Sequence, residues 1–392
     1  MDLFMKCHEF TKADDVKEAG LYPYFIPLTN NEGTEAVIGD HHLIMIGSNN
    51  YLGLTVHPKV RKAAQDAIGT FGTSCTGSRF LNGTLELHLE LERRLAQWVG
   101  KERALVYSTG YQVNLGVIST MVARGDFVIT DKDDHASIVD GCRLCFGTMR
   151  RYPHNDMEAL ARVLQSIPDS AGKLVVVDGI FSMGGDIAPL PDIIKICKQY
   201  EARLMVDDAH SFGVLGGGRG TAAEFDVVED VDLIMGTFSK SFASLGGFIA
   251  GDDSVINYIQ HTSRSLIFSA SIPPANAAAA MASLEIIQQE PERVQRLVDI
   301  GKYMRGKYRE MGFNIGASQT PIIPIIIGDD TKTLMFWKAL FDAGVYTNPV
   351  LSPAVPEGLQ LLRTSYMASH TDDQLKKVLI TFERVGKQFD VI

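Results

Sequence analysis

The sequence predicts an α/β protein: a large domain with a mostly parallel sheet covered by helices, then a smaller C-terminal α+β domain. Three observations predict this. Short apolar runs at Ala104–Tyr107, Phe127–Thr130, Leu174–Val177, Leu204–Val206, Leu233–Met235 and Phe248–Ala250 are continuous rather than alternating, as strands buried on both faces are. Helical periodicity separates several of them, as at Met157–Ile167 and Ile193–Glu201. Past Pro274 the rhythm changes to long helical stretches around one apolar run, Ile322–Ile327.

Taken in order, the first 45 residues read as a helix and short extended pieces, with EAVIGDHHLIMIG a small hairpin. SNNYLGL, Ser48 to Leu54, is a polar turn around an aromatic, and a helix follows from His57 to Ile68. Gly72 to Gly83, GTSCTGSRFLNG, is a Gly/Ser/Thr loop. It misses the triphosphate-binding P-loop because Ser78-Arg79 stands where Lys-Ser/Thr is required. The glycines at 216, 217, 218 and 220 likewise miss the G-x-G-x-x-G spacing of a dinucleotide site. From Thr84 to Val99 the spacing is helical, with Leu85, Leu89, Leu95 and Trp98 on or near one face. The expected organisation is an N-terminal segment 1–45, a large cofactor-binding domain 46–275 and a small domain 276–392. The last would hold a long helical stretch through Met311, the strand at Ile322–Ile327, a helix near Phe336–Gly344 and a closing helix.

Composition narrows the function. A chain of 392 residues with 45% hydrophobic and 21% charged content is that of an ordinary globular protein. The net charge of -10 argues against nucleic acid as a partner. The N-terminus, MDLFMKCHEFTKADD, has no signal-peptide core, and no apolar run is long enough to span a bilayer. Five scattered cysteines suit a reducing cytoplasm better than a disulfide framework. Cys142 and Cys145 form a lone C-x-x-C without the second pair a metal site needs, so they read as packing thiols.

In open α/β sheets ligands bind beyond the carboxyl ends of the strands. The residues there are Ser108 to Tyr111, Asp131 to His135, Asp178 to Ser182, Asp207 to His210 and Gly236 to Lys240. Together they meet the needs of pyridoxal 5'-phosphate. Lys240 can form a Schiff base with an aldehyde. Thr237 and Ser239, with the helix start at Gly110-Tyr111, can hold a phosphate. Asp207 can keep a ring nitrogen protonated, His135 can stack on the ring, and His210 can reach the ring oxygen. Each has an ordinary reading when alone: an Asp after a strand caps a helix, a lone His is a satisfied core or capping residue, and a Lys in a Gly/Ser turn is solvated. The coincidence of all of them at strand ends favours the cofactor.

The stretches GTFSKS and SLGGF, VDDAHSFGVLG followed by GRGTA, DHASIVDG, SNNYLGL and STGYQVNLG resemble those of the α-oxoamine synthases. These are fold-type I pyridoxal-phosphate transferases that condense an amino acid with an acyl-CoA and release carbon dioxide. The resemblance covers nearly the whole chain from about Tyr22. It implies that Lys240 is the Schiff-base lysine, Asp207 the partner of the ring nitrogen and His135 the stacking residue, with His210 and Ser182 on the ring hydroxyl side. It also places Gly110, Tyr111, Thr237 and Ser239 near the phosphate. Ser269, in FSAS, would reach the phosphate of a second subunit, which implies a homodimer with shared sites. Asn50 and Arg363, in LLRTS, match positions used for the substrate carboxylate. The serine before Lys240, where other branches carry glycine, is similar to members that use serine and a long-chain acyl-CoA rather than alanine or glycine. A long acyl chain would need an apolar groove, for which Leu21 to Phe25 are candidates, and such a substrate allows weak peripheral contact with membranes. A catalytically silent partner subunit would be expected to lack the lysine, and a generic aminotransferase would not carry the full motif set.

Overall fold

The computed structural model describes residues 2–31 and 33–392. Its strands, in chain order, are β1 (Asn30–Asn31), β2 (Glu35–Ile38), β3 (His41–Met45), β4 (Arg103–Tyr107), β5 (Phe127–Asp131), β6 (Thr148–Tyr152), β7 (Lys173–Asp178), β8 (Arg203–Asp207), β9 (Leu233–Thr237), β10 (Gly247–Gly251), β11 (Ile322–Ile326), β12 (Val345–Tyr346), β13 (Asn348–Val350) and β14 (Leu361–Ser365).

A seven-stranded sheet in the order β4-β10-β9-β8-β7-β5-β6 forms the centre. β10 runs antiparallel to both its neighbours, and the remaining pairs are parallel. Every residue of β7, β9 and β10 is buried, which is why these runs read as continuous apolar stretches. All the expected strands are present. β6, reading TMRRY, was not expected: it is an edge strand with its arginines in solvent, so its sequence carries no apolar signature.

Two other expectations need correction. The long helical stretch after Pro274 is two helices, Pro274–Gln289 and Pro291–Met311. Pro291 cannot donate to the preceding turn, yet it fits the first position of a new helix. In helix Glu86–Val99 the buried face is Leu91, Leu95, Trp98 and Val99 with His88 and Glu92, while Leu89 faces solvent at 52% exposure.

Both cores draw on residues from either side of position 275, and the smaller core on residues from either side of position 45. Helix Pro274–Gln289 places Ala277, Ala280, Leu284 and Ile286 in the large core. The hairpin β2–β3 places Ile38, Leu43 and Ile44 in the smaller core with Met304, Phe336, Leu362 and Phe382. The reason is pairing: β12 adds to β3 in parallel, Val345 opposite Ile44. The small core is thus built from both ends of the chain.

Candidate active site

The carboxyl ends of β4, β5, β7, β8 and β9 open into a cavity of about 300 Å³. It is lined by Gly110, Tyr111, His135, Asp207, His210, Thr237, Ser239 and Lys240 among others. Eight positions from distant parts of the sequence therefore share one wall.

Local chemistry fixes each of them. Lys240 follows β9 where the chain turns back into β10. Burial lowers its amine to a pKa of about 8, against the opposing pull of Asp207 and Asp178. Asp207 ends β8 and is 3% exposed. Its Oδ2 accepts from Asn114 Nδ2 at 2.7 Å and its Oδ1 from the Ala209 amide at 3.0 Å, so the carboxylate cannot rotate. Asn114 was not singled out from the sequence. It is the one polar side chain among the buried positions of helix Gly110–Met121, with Val113, Gly116, Val117 and Ile118.

His135 serves two purposes. Its Nδ1 caps helix Ala136–Leu144 by accepting from the Ser137 amide at 3.2 Å, and its backbone amide donates to Asp178 Oδ2 at 2.9 Å. Burial, with Lys240 nearby, lowers its pKa despite Asp207. Burial also lowers His210 well below the usual value, helped by Lys240 and Arg363. Both rings are therefore neutral near pH 7, able to stack or to share a proton without carrying charge into the cavity.

The anion-binding side lies at the start of helix Gly110–Met121. Thr109 Oγ1 accepts from the Gln112 amide at 3.1 Å, while the amides of Gly110 and Tyr111 stand where no helical carbonyl reaches them. A Cβ on Gly110 would lie 2.7 Å from Thr237 Oγ1, so only glycine lets the helix start approach β9 this closely. Thr237 Oγ1 lies 2.9 Å from Ser239 Oγ and donates to the Gly246 carbonyl at 3.0 Å.

Arg363 on β14 does not line the cavity; Tyr51 links it to His210, which does. Arg363 Nε donates to the Ser182 carbonyl at 2.6 Å and its Nη2 to Tyr51 Oη at 3.3 Å, and Tyr51 Oη lies 2.7 Å from His210 Nδ1. Ser182 likewise lies outside the cavity lining, and its backbone carbonyl is what Arg363 bonds. Tyr51, fully buried, joins Arg363 to His210 and was not picked out as a site residue, although it sits in SNNYLGL. Asn50 precedes it, with Nδ2 donating to Thr55 Oγ1 at 2.8 Å. Ser269 lies outside the cavity lining and its Oγ accepts from Gln112 Nε2 at 3.0 Å. In the segment Leu21–Phe25, Pro23 is buried while Tyr24 is 41% and Phe25 95% exposed. Cys145 Sγ points to the Cys142 carbonyl at 3.1 Å, and burial raises both thiols, Cys142 to about 12. Inert packing thiols fit that environment.

Residues 41–382 match the family described as aminotransferase class I and II. A serine palmitoyltransferase of Sphingobacterium spiritivorum is 50% identical over 383 residues, covering 97% of this chain and 96% of the relative. An 8-amino-7-oxononanoate synthase of Thermoanaerobacter pseudethanolicus is 40% identical, covering 97% of each. A solved serine palmitoyltransferase variant from S. paucimobilis, with a bound PLP–myriocin aldimine, superposes with a TM-score of 0.97 at 36% identity, covering 100% of both chains. With its motifs assembled on one cavity and relatives of this kind along its whole length, the chain belongs to the aminotransferase class I and II family, in the α-oxoamine synthase branch.

Proposed function

We propose that the chain uses pyridoxal 5'-phosphate to condense L-serine with a long-chain acyl-CoA, such as palmitoyl-CoA. The products are 3-ketodihydrosphingosine, CoA and carbon dioxide, in the first step of sphingolipid synthesis. The observation that carries the reading is the set Lys240, Asp207, His135 and His210 on one cavity, in a chain 50% identical to a serine palmitoyltransferase against 40% for an 8-amino-7-oxononanoate synthase.

The residues suit the cofactor. The amine with its pKa near 8, a locked carboxylate, a neutral flat imidazole and a glycine-lined helix start supply one partner for each part of the group. When bound, pyridoxal phosphate supplies an electron sink that weakens the bonds at an amino acid's Cα. Asp207 would hold the ring nitrogen's proton, and His210 and Ser182 would serve the ring hydroxyl side. Gly110, Tyr111, Thr237 and Ser239 would take the phosphate. Lys240 would take the Cα proton. Arg363 and Asn50 would take the substrate carboxylate, since a guanidinium can bind it through two parallel hydrogen bonds.

Titrating the holoenzyme's visible absorbance with L-serine, L-alanine and glycine tests the substrate. Saturation by serine at the lowest concentration is expected; preference for alanine would move the chain to the other substrate reading. Arg363→Lys keeps the charge and loses the fork, so serine KM should rise roughly 10- to 100-fold, the worth of one charge-assisted hydrogen bond, with acyl-CoA KM unchanged. Equal serine KM in the two proteins would remove Arg363 from the site.

The active form proposed is a homodimer in which Ser269 serves the partner's phosphate. Exposed Phe80, Leu81 and Phe268 supply apolar surface suited to such contact. Light scattering should give twice the 43.0 kDa chain mass; a monomer with full activity would end this reading. A cytoplasmic location with weak peripheral membrane contact completes the proposal, and among the described residues no helix is long and apolar enough to cross a membrane.

A further inference from the structure

Outside the cavity, His154 lies between two carboxylates. Its Nδ1 is 3.1 Å from Asp131 Oδ1 and its Nε2 is 2.8 Å from Asp186 Oδ2, with Asp133 at 3.8 Å. Burial alone would lower the ring's pKa, but Asp131 and Asp186 outweigh it and push it up to about 10. The ring is therefore an imidazolium that donates from both nitrogens. Asn155 grips the same pair, its amide donating to Asp131 Oδ2 at 2.8 Å and its Nδ2 to Asp186 Oδ2 at 3.0 Å. The His154 ring also meets Phe181 edge-on, with centroids 4.4 Å apart.

Phe181 and Asp186 are the two ends of one tight turn. The Phe181 amide donates to the Asp186 carbonyl at 3.0 Å, and the Gly185 amide to the Phe181 carbonyl at 2.9 Å. Between them lies the Ser182 carbonyl that accepts from Arg363 Nε. The other side of the turn is held from the small core: Thr320 Oγ1 and the Gln319 amide both donate to the Gly185 carbonyl, at 2.9 and 3.0 Å. Those residues lead into β11, which pairs with Arg363's own strand, Pro324 opposite Arg363. The turn is thus clamped from both cores, and His154 is its charged tie to the end of β5.

We propose that His154 is a positioning residue for amino-acid recognition: by pinning the 181–186 turn to β5, it fixes the carbonyl that orients the Arg363 guanidinium. The inference rests on the reading of Arg363 as the carboxylate-binding residue. It goes beyond that reading by placing control of amino-acid affinity at a histidine that touches neither substrate nor cofactor.

The test uses His154→Gln and Asp186→Asn holoenzymes. The first keeps a donor but removes the charge, and the second keeps shape while neutralising one partner. Serine affinity from the absorbance titration should weaken about tenfold in each, the scale of one charge-assisted hydrogen bond lost or misplaced. kcat and acyl-CoA KM should stay within twofold. Amide exchange in the peptide spanning 181–186 should quicken in the serine-free protein, and the double variant should bind serine no more weakly than the worse single one, as expected of one coupled unit. Serine affinity within twofold of the parent in a folded variant overturns the positioning role. So does a loss of serine affinity that comes with loss of cofactor and faster exchange throughout the chain, because that marks a general structural tie. If one variant fails to fold, the other decides. A parent enzyme with no saturable serine response removes the Arg363 reading itself and the inference with it, whereas variants that bind serine as a responsive parent does remove only the inference.

Discussion

Lys240→Ala leaves no measurable turnover and no covalently held cofactor. A general base alone is worth roughly 10²- to 10⁴-fold, and this substitution also removes the amine that captures the aldehyde. A loss of at least about 10⁴-fold follows from the two together. Lys240 lines a solvent-connected cavity rather than a packed core, so the variant should keep its far-UV circular dichroism. Borohydride treatment followed by mass measurement decides the point: the parent gains the mass of the reduced cofactor and the variant does not. A variant that still turned over at even a hundredth of the parent rate would end the assignment. The same amine sets a pH dependence. Burial lowers its pKa to about 8, and only the unprotonated amine attacks an aldehyde. Capture of pyridoxal phosphate by cofactor-free protein should therefore accelerate as pH rises through about 8 and then level off. A flat rate across that range would show that another step limits capture.

Asp207→Asn is expected to lower kcat by about three orders of magnitude while leaving the cofactor attached. A charge pair at contact distance in an effective dielectric of about 20 is worth about 4 kcal/mol, which is close to a thousandfold in rate. The amide keeps the size of the carboxylate and can still accept from Asn114. It loses the charge, and its NH2 faces either the Asn114 or the Ala209 donor, leaving one buried donor unpaired. Thiol release from acyl-CoA measures the rate, and borohydride trapping shows whether attachment through Lys240 survives. A kcat within tenfold of the parent would sink the ring-nitrogen role. Loss of the cofactor would instead make Asp207 a binding residue.

How much of this was legible in the chain depended on how close each signal lay to a strand. β7, β8, β9 and β10 were readable because both faces are covered, and the residues just past β8 and β9 could be placed on the ligand edge for the same reason. β6 was not readable, because its outward arginines hide a strand that needs only one neighbour. Lys240, Asp207, His135 and His210 each lie within a few residues of a strand end or begin a helix. Tyr51 and Asn114 reach their partners across 159 and 93 positions, and no local spacing encodes such a meeting. His154 follows the unrecognised β6, so its two carboxylate partners could not be anticipated. The Pro291 break was written in the sequence but overridden by the apolar pattern on either side, which continues through both helices.

The parallel pairing of β12 with β3 has a consequence for synthesis. Ile44 leaves the ribosome early, but its partner Val345 follows 301 residues later (345 − 44). At roughly 5–20 residues per second, that is a wait of about 15–60 s. During it most of the large core, Tyr51 to Leu297, can close around the sheet, while Leu43, Ile44 and Ile46 remain uncovered. The newborn chain therefore exposes this apolar hairpin for an interval set by the order in which two short strands are translated.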